Sequence, residues 1–358
     1  MSNYQDTITF GALYRGMRKC RRGVMWKDSV AGYTANGLKN TYNLRQELLN
    51  GKYQLRPYQC FVVTDPKRRE VMATQIRDRQ FQRALCDEYL YHELTRHFIH
   101  DNGACQTGKG VNFALDRMDT HLHRYYRKHG SEGYVLRCDI HHYFASTSHE
   151  VAKAAVRKRV ADPDVCLAVE QIIDSFGGDI GIGLGSQVSQ LIELAVLDDM
   201  DHFIKERLHI KHYLRYMDDF VLIHPDKEYL KHCLAEIRRM LDGIGLELNE
   251  KTQIFPLRQG IIWLKWRFVL TETGKVIRRM SQSAVTKQRR KLKRMKRLVD
   301  AGKITVDDVK QSMESWTAGA SRGDTHHVVS GMWALFHELF GAECEHDRIS
   351  HRIDGLKR

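Results

Sequence analysis

The chain has 358 residues, 42% hydrophobic and 28% charged, with 5 prolines. This is globular composition, long enough for two or three packed subdomains, and it excludes collagen-like, mucin-like and wholly disordered chains. Lys and Arg number 57 against 44 Asp and Glu, a formal charge of +13, which favours a polyanionic partner such as nucleic acid or an acidic membrane face.

In chain order, the first elements expected are helices near 15–27 and 42–50. Near-helical apolar spacing (Ile76, Phe81, Leu85, Tyr89, Leu90, Leu94) marks another over 75–96. Residues 133–140 read as a strand entering a turn, followed by a helical stretch over 149–175. A glycine cluster from Gly177 to Gly185 then breaks the chain before a helix over 189–207. Two β-rich runs, 211–216 and 220–223, flank Met217-Asp218-Asp219 with almost no loop and predict a hairpin. A helix over 227–244 and a strand pair, 246–255 with 261–270, complete the series. From Lys275 to Arg297 the chain is dense in bases with no acid between them. Such a run repels itself until phosphates supply counter-charge, which favours nucleic acid as the partner.

No run approaches the ~18 apolar residues of a membrane-spanning helix, so no transmembrane helix is expected; with the basic run read as a nucleic-acid face, no membrane partner is expected either. The first residues, Met1-Ser2-Asn3-Tyr4-Gln5-Asp6, lack the basic and apolar regions of a secretory leader. The eight cysteines (Cys20, Cys60, Cys86, Cys105, Cys138, Cys166, Cys233 and Cys344) are scattered, with no CxxC spacing. Together these features predict a cytoplasmic protein with reduced thiols.

The chemistry-bearing constellation is Asp139 at a strand end and the Asp218-Asp219 doublet at a hairpin tip. Carboxylates ~4 Å apart repel by several kcal/mol at an effective dielectric near ~20. Divalent ions relieve that repulsion, and Mg²⁺ takes carboxylate oxygens together with substrate phosphates. A second doublet, Asp198-Asp199, sits in a helical pattern without strand context and reads as a surface pair.

Tyr216-Met217-Asp218-Asp219 resembles the YxDD box of reverse transcriptases. Asp139-Ile140-His141-His142-Tyr143-Phe144 resembles their first palm motif, and Gly185-Ser186-Gln187-Val188-Ser189-Gln190 the second. Arg69, nine residues before Asp78-Arg79, is similar to the fingers motif of bacterial non-retroviral members. Leu248-Asn249-Glu250-Lys251-Thr252 resembles the lysine-bearing palm motif, and Ile262-Trp263-Leu264-Lys265-Trp266 the primer grip. The resemblance runs from about Arg69 to Phe268.

It implies an α+β, right-hand polymerase fold: fingers within 1–130, an antiparallel-sheet palm over 131–270 with a helical segment at 149–176, and a basic helical thumb over 271–358. Asp139, Asp218, Asp219 and the Ile140 carbonyl would hold two Mg²⁺ ions, with Mn²⁺ as the alternative. Arg69 and Lys67 would grip the triphosphate of a dNTP, Phe144 would exclude a 2′-hydroxyl, and Leu184, Gly185 and Gln190 would line the nucleotide. Lys251 would protonate the leaving pyrophosphate. Tyr216, Met217, Trp263, Leu264, Lys265, Arg289, Arg290 and Lys293 would contact primer and template.

Many relatives carry Gln before the motif glycine and Ser-Pro after it; here stand Leu184 and Ser189-Gln190. That combination resembles the enzymes of diversity-generating retroelements and phage-defence groups, and it implies reduced copying fidelity. The expected function is copying of a structured non-coding RNA into DNA in bacterial phage defence. Error-prone retroelement copying and an inactive nucleic-acid-binding palm are the alternatives. An accessory protein or a second copy of the chain are further partner candidates. Nicking, RNA removal and targeting are expected to come from other gene products. Phe176-Gly177-Gly178-Asp179 lacks the Glu of a cyclase signature, and Cys344, His346 and His351 fit no familiar zinc spacing. His141-His142 and His326-His327 read as facing solvent or template. Trp316, Trp333, Phe336 and Phe340 form a stripe read as the core of a small helical domain.

Overall fold

The structure, a computed structural model, describes residues 3–64 and 68–341. It divides into two compact units, one comprising Met1–Arg117 with Leu136–Ile254, the other Met118–Val135 with Phe255–Arg358. Among the described residues no helix is long and apolar enough to cross a membrane.

Strands β1 (Gln59–Val63) and β2 (Arg69–Ala73) form an antiparallel hairpin. Strands β3 (Tyr134–Asp139), β4 (His212–Tyr216), β5 (Asp219–His224) and β6 (Gln253–Pro256) form a sheet in the order β4-β5-β3-β6. Tyr213, Leu214, Phe220, Val221, Leu222 and Ile223 are all buried. Burial on both faces is why these strands read as continuous apolar runs rather than alternating ones.

Helix Gln187–Val196 is buried along most of its length, so it too is apolar nearly all round. Its N-terminus is capped by Ser186, whose hydroxyl accepts from the Ser189 amide at 3.0 Å.

In the second unit β7 (Ile261–Trp263), β8 (Trp266–Leu270) and β9 (Val276–Met280) form a three-stranded meander. Helices Gln282–Asp300, Val306–Ala320 and His326–Phe340 pack around Val285, Leu292, Val309, Met313, Met332, Trp333 and Phe336. The Trp333 indole N–H donates to Thr317 Oγ1 at 3.0 Å, while Trp316 and Phe340 pack against the same cluster. The aromatic stripe is therefore core.

Several expectations need correction. The helix expected over 15–27 lies earlier, at Phe10–Cys20. The stretch over 149–175 is two helices, His149–Arg157 and Pro163–Asp174, because Asp162 caps a new N-terminus and Pro163 occupies its first turn. The stretch expected over 75–96 runs through a π segment, Cys86–Leu90, and that over 189–207 ends in another, Phe203–Arg207. The strand expected over 261–270 is a hairpin, reversing at Leu264 (φ 47°) and Lys265 (φ 73°). Its partner segment 246–255 is mostly irregular. Helix Val111–His129, the β1–β2 hairpin and β9 carry no expectation in the sequence reading. Asp198, read as a surface residue, is buried and salt-bridged to Arg159 at 2.8 Å, and only Asp199 reaches solvent.

Candidate active site

The β4–β5 register pairs Tyr216 with Asp219, leaving Met217 and Asp218 as the turn. Met217 takes φ 56°, a left-handed conformation uncommon for a residue with a Cβ. Asp218 thus sits at the hairpin tip and Asp219 opens β5.

Asp139 ends the neighbouring strand β3, and the next amide, Ile140 N–H, donates to the Asp218 carbonyl at 3.3 Å. On its other side Ile140 bridges Leu248 through Asn249 N–H to Asp139 O (2.7 Å) and His141 N–H to Glu247 O (2.8 Å). That bridge uses the carbonyls of Asp139 and Glu247 and leaves the Ile140 carbonyl out of it. Lys251 follows in the same segment, exposed, its amide bonded to Asn249 Oδ1 at 3.0 Å.

Electrostatics mark the same spot. Burial pushes the Asp219 carboxyl up to about 6; Arg137, 3.3 Å away, opposes this, and Asp139 and Asp218 add to it. Asp219 Oδ1 is buried and has no hydrogen-bond partner. In helix Gln187–Val196 the fully buried Glu193 is pushed up to about 8 by burial, with hydrogen bonds from Tyr143 and Thr147 opposing and Asp218 adding to the shift.

Among the described residues no three His, Cys, Asp or Glu side chains converge as a ready-made metal cage. The donors present are nevertheless hard oxygens: three carboxylates, one with a partnerless oxygen, and a main-chain carbonyl. They suit Mg²⁺, which keeps open positions for water and phosphate.

Segment 144–149 pairs with 179–182: Ile182 N–H donates to Phe144 O at 2.7 Å and Gly181 N–H to Thr147 O at 2.8 Å. Phe144 is half-buried, between the buried Tyr143 and exposed Ala145. Gly185 has φ 126°, and a Cβ there would meet Met72 O and Val71 Cγ1 of β2, each at 3.4 Å. The strand carrying Arg69 therefore runs beside the Leu184-Gly185 loop. Arg69 and Gln190 are exposed and Leu184 is half-buried. Lys67 lies outside the described residues, as do Cys344, His346 and His351.

Of the residues expected to contact primer and template, Tyr216 and Met217 belong to the catalytic hairpin. Trp263, Leu264, Lys265, Arg289, Arg290 and Lys293 belong to the second unit. Trp263 is fully buried, its indole nitrogen without a partner, so its side chain packs the core and cannot grip a primer; the turn residues Leu264 and Lys265 are accessible instead. In helix Gln282–Asp300, Val285 and Leu292 face inward, while Arg289, Arg290, Lys293, Arg294 and Arg297 lie exposed at helical spacing.

Sequence reasoning passed over Glu193, Arg215 and Asp201. Arg215 had one visible signal: a charged residue within a β-rich run, between Leu214 and Tyr216.

A β-hairpin tip bearing two aspartates, docked beside a third at a strand end, defines a polymerase-type palm. Residues 64–264 match the reverse transcriptase (RNA-dependent DNA polymerase) family, and the chain belongs to that family of nucleotidyltransferases, with its α+β, right-hand polymerase fold. It is 26% identical over 278 residues to protein YkfC of Escherichia coli K12, covering 63% of this chain and 70% of that protein. It is also similar to the apo telomerase of Candida tropicalis truncated from its C-terminal domain, with a TM-score of 0.49 and 13% identity over 67% of this chain. Telomerase from Candida albicans, in complex with a fragment of telomeric RNA, gives a TM-score of 0.49 and 11% identity over 84% of this chain. The chain spans 60% and 64% of those two telomerase chains.

Proposed function

We propose that this chain is an RNA-directed DNA polymerase that extends a primer 3′-hydroxyl with deoxynucleotides, copying a structured non-coding RNA in bacterial phage defence. The observation that carries the polymerase reading is the Ile140 N–H bond to Asp218 O, which joins the three-aspartate cluster through the main chain. Asp139, Asp218, Asp219 and the Ile140 carbonyl would hold two Mg²⁺ ions, or Mn²⁺ in their stead. When bound, such ions supply a more acidic primer hydroxyl and neutralise charge on the reacting phosphate.

The chain's residues do the rest. Arg69, with Lys67, fixes the triphosphate. Gly185, whose φ of 126° residues with a Cβ rarely adopt, lets the backbone approach the incoming nucleotide where a Cβ would intrude. Leu184 in the same loop and Gln190 on the helix that follows line the nucleotide, and Phe144 stands where a ribose 2′-hydroxyl would sit. Lys251, on the segment bonded to Asp139 O, offers a proton to pyrophosphate. Tyr216, Met217, Leu264 and Lys265 hold the primer end. Arg289, Arg290 and Lys293 take up phosphates of the template–primer duplex without reading sequence. In this reading the fingers lie within 1–130, the palm within 131–270 and the thumb within 271–358.

The error-prone alternative, of the diversity-generating type, rests on Leu184: it carries no amide to check base-pair geometry. A binding protein without turnover is disfavoured by Asp219: a palm that does no chemistry has little use for a buried carboxyl oxygen that lacks a protein partner and calls for a bound cation. Incorporation of dNTPs on a primed RNA template, with Mg²⁺, tests the activity. Sequencing the nucleic acid that co-purifies with the full chain tests the defence role: one recurrent structured RNA supports it, and random cellular RNA opposes it.

A further inference from the structure

Arg215 is completely buried in β4, two residues before the turn that carries Asp218. Its guanidinium is held by Asp201, also fully buried, through Nε to Oδ1 at 2.8 Å and Nη2 to Oδ2 at 2.6 Å. Tyr213 Oη donates to the same Asp201 Oδ1 at 2.5 Å. The remaining donors reach main chain: Nη2 to Leu194 O at 3.2 Å and Nη1 to Met217 O at 3.0 Å. Burial opposes the Arg215 charge, but Asp201 beside it outweighs burial and holds the guanidinium protonated.

We infer that the Asp201–Arg215 pair is a positioning device that locks the Met217–Asp218 turn in its metal-binding geometry. A buried ion pair alone would not call for this, since well-packed apolar side chains commonly serve stability as well or better. What an apolar pair cannot supply is the donor to Met217 O. That carbonyl belongs to the one residue of the turn in a left-handed conformation, which is unfavourable for a side chain with a Cβ and persists only where neighbours enforce it.

The strand is clamped on its other edge too. Arg215 N–H donates to Asp101 O at 3.1 Å and Gly103 N–H to Arg215 O at 2.9 Å. Cys105 Sγ then lies 3.8 Å from Met217 Sδ. Main chain, side chain and thioether thus converge on Met217, and Asp218 is the next residue.

The kinetic and metal arms of the test rest on the polymerase reading; an exchange arm does not. The variants are Arg215→Met with Asp201→Leu, which keeps the site packed and neutral, and Arg215→Lys, which keeps the charge but cannot span both Asp201 and Met217 O. The expected result in folded, metal-free full-length protein is amide exchange across Tyr216–Asp219 about tenfold faster than in the parent. Mn²⁺ affinity, read by electron paramagnetic resonance, falls about tenfold, and kcat falls by a similar factor with the dNTP KM nearly unchanged. Parent-like exchange, Mn²⁺ affinity and kcat in the variants overturn the inference. If the apolar pair fails to fold, Arg215→Lys decides alone. If the parent neither binds Mn²⁺ nor incorporates dNTPs, the polymerase reading fails, and exchange still decides the role of Arg215.

Discussion

The Ile140 amide donates to the Asp218 carbonyl across 3.3 Å, so the end of β3 and the tip of the β4–β5 hairpin are tied by main chain. Carboxylate spacing at this site is therefore set by the sheet and does not depend on side-chain rotamers alone. That relationship brings Asp139 beside the Asp218-Asp219 doublet, about eighty residues on in the chain, and the electrostatics agree: Asp139 and Asp218 both push the Asp219 carboxyl up.

The pH dependence of stability follows from two raised carboxyls. Asp219 is pushed up to about 6 and Glu193 to about 8, both above their unfolded values, so the native state holds these protons more tightly. Their contribution is complete below pH ~4 and is lost as pH rises through 6 for Asp219 and 8 for Glu193. Metal-free protein should melt at falling temperature from pH 5 to pH 9. Asp219→Asn should remove the part of the fall between pH 4 and pH 7, worth at most roughly 3 kcal/mol. Identical melting-temperature slopes for parent and variant in that window contradict the assignment.

Under the proposed function Phe144, half-buried next to the loop that carries Gly185, would select the sugar. Phe144→Ala should raise ribonucleotide incorporation relative to deoxynucleotide by about 10-fold to 100-fold, the scale of one removed steric clash. An unchanged ratio returns Phe144 to a packing role.

How much of this was legible in the sequence differs by element. The hairpin was legible because apolar β-formers flank Met217-Asp218-Asp219 without a break. The turn at Leu264-Lys265 was not, because neither residue is Gly or Asn, the usual markers of positive φ. The split of 149–175 was signalled by Asp162-Pro163 but hidden within continuous helical periodicity. Asp201 and Arg215 escaped for another reason: their meaning lies in a long-range contact, and an Asp near the Asp198-Asp199 doublet looks like one more surface acid. Trp263 failed as a primer contact because motif position says nothing about which face of a strand is buried.

Under the error-prone alternative Leu184 would set copying fidelity. Leu184→Gln should lower the misincorporation rate by a few-fold, about the value of one hydrogen bond near the nucleotide. An error spectrum indistinguishable from the parent removes Leu184 from the fidelity mechanism.

The exposed base stripe of helix Gln282–Asp300 makes a salt-dependent prediction. Replacing Arg289, Arg290 and Lys293 by Ala should weaken binding of RNA–DNA duplexes of any sequence alike. It should also reduce the slope of log affinity against log salt by about 2 to 3, roughly 0.7–0.9 for each phosphate no longer neutralised. A sequence-selective weakening, or an unchanged slope, places the duplex elsewhere.

The most direct measurement is Mg²⁺-dependent dNTP incorporation on a primed RNA template by the parent, Asp139→Asn and Asp218→Asn, with circular dichroism confirming that all three fold. The account predicts incorporation by the parent and a loss of about 10³-fold or more in each variant, because each removes charge from the same cluster. Incorporation surviving either substitution, or absent from the parent with both Mg²⁺ and Mn²⁺, contradicts it.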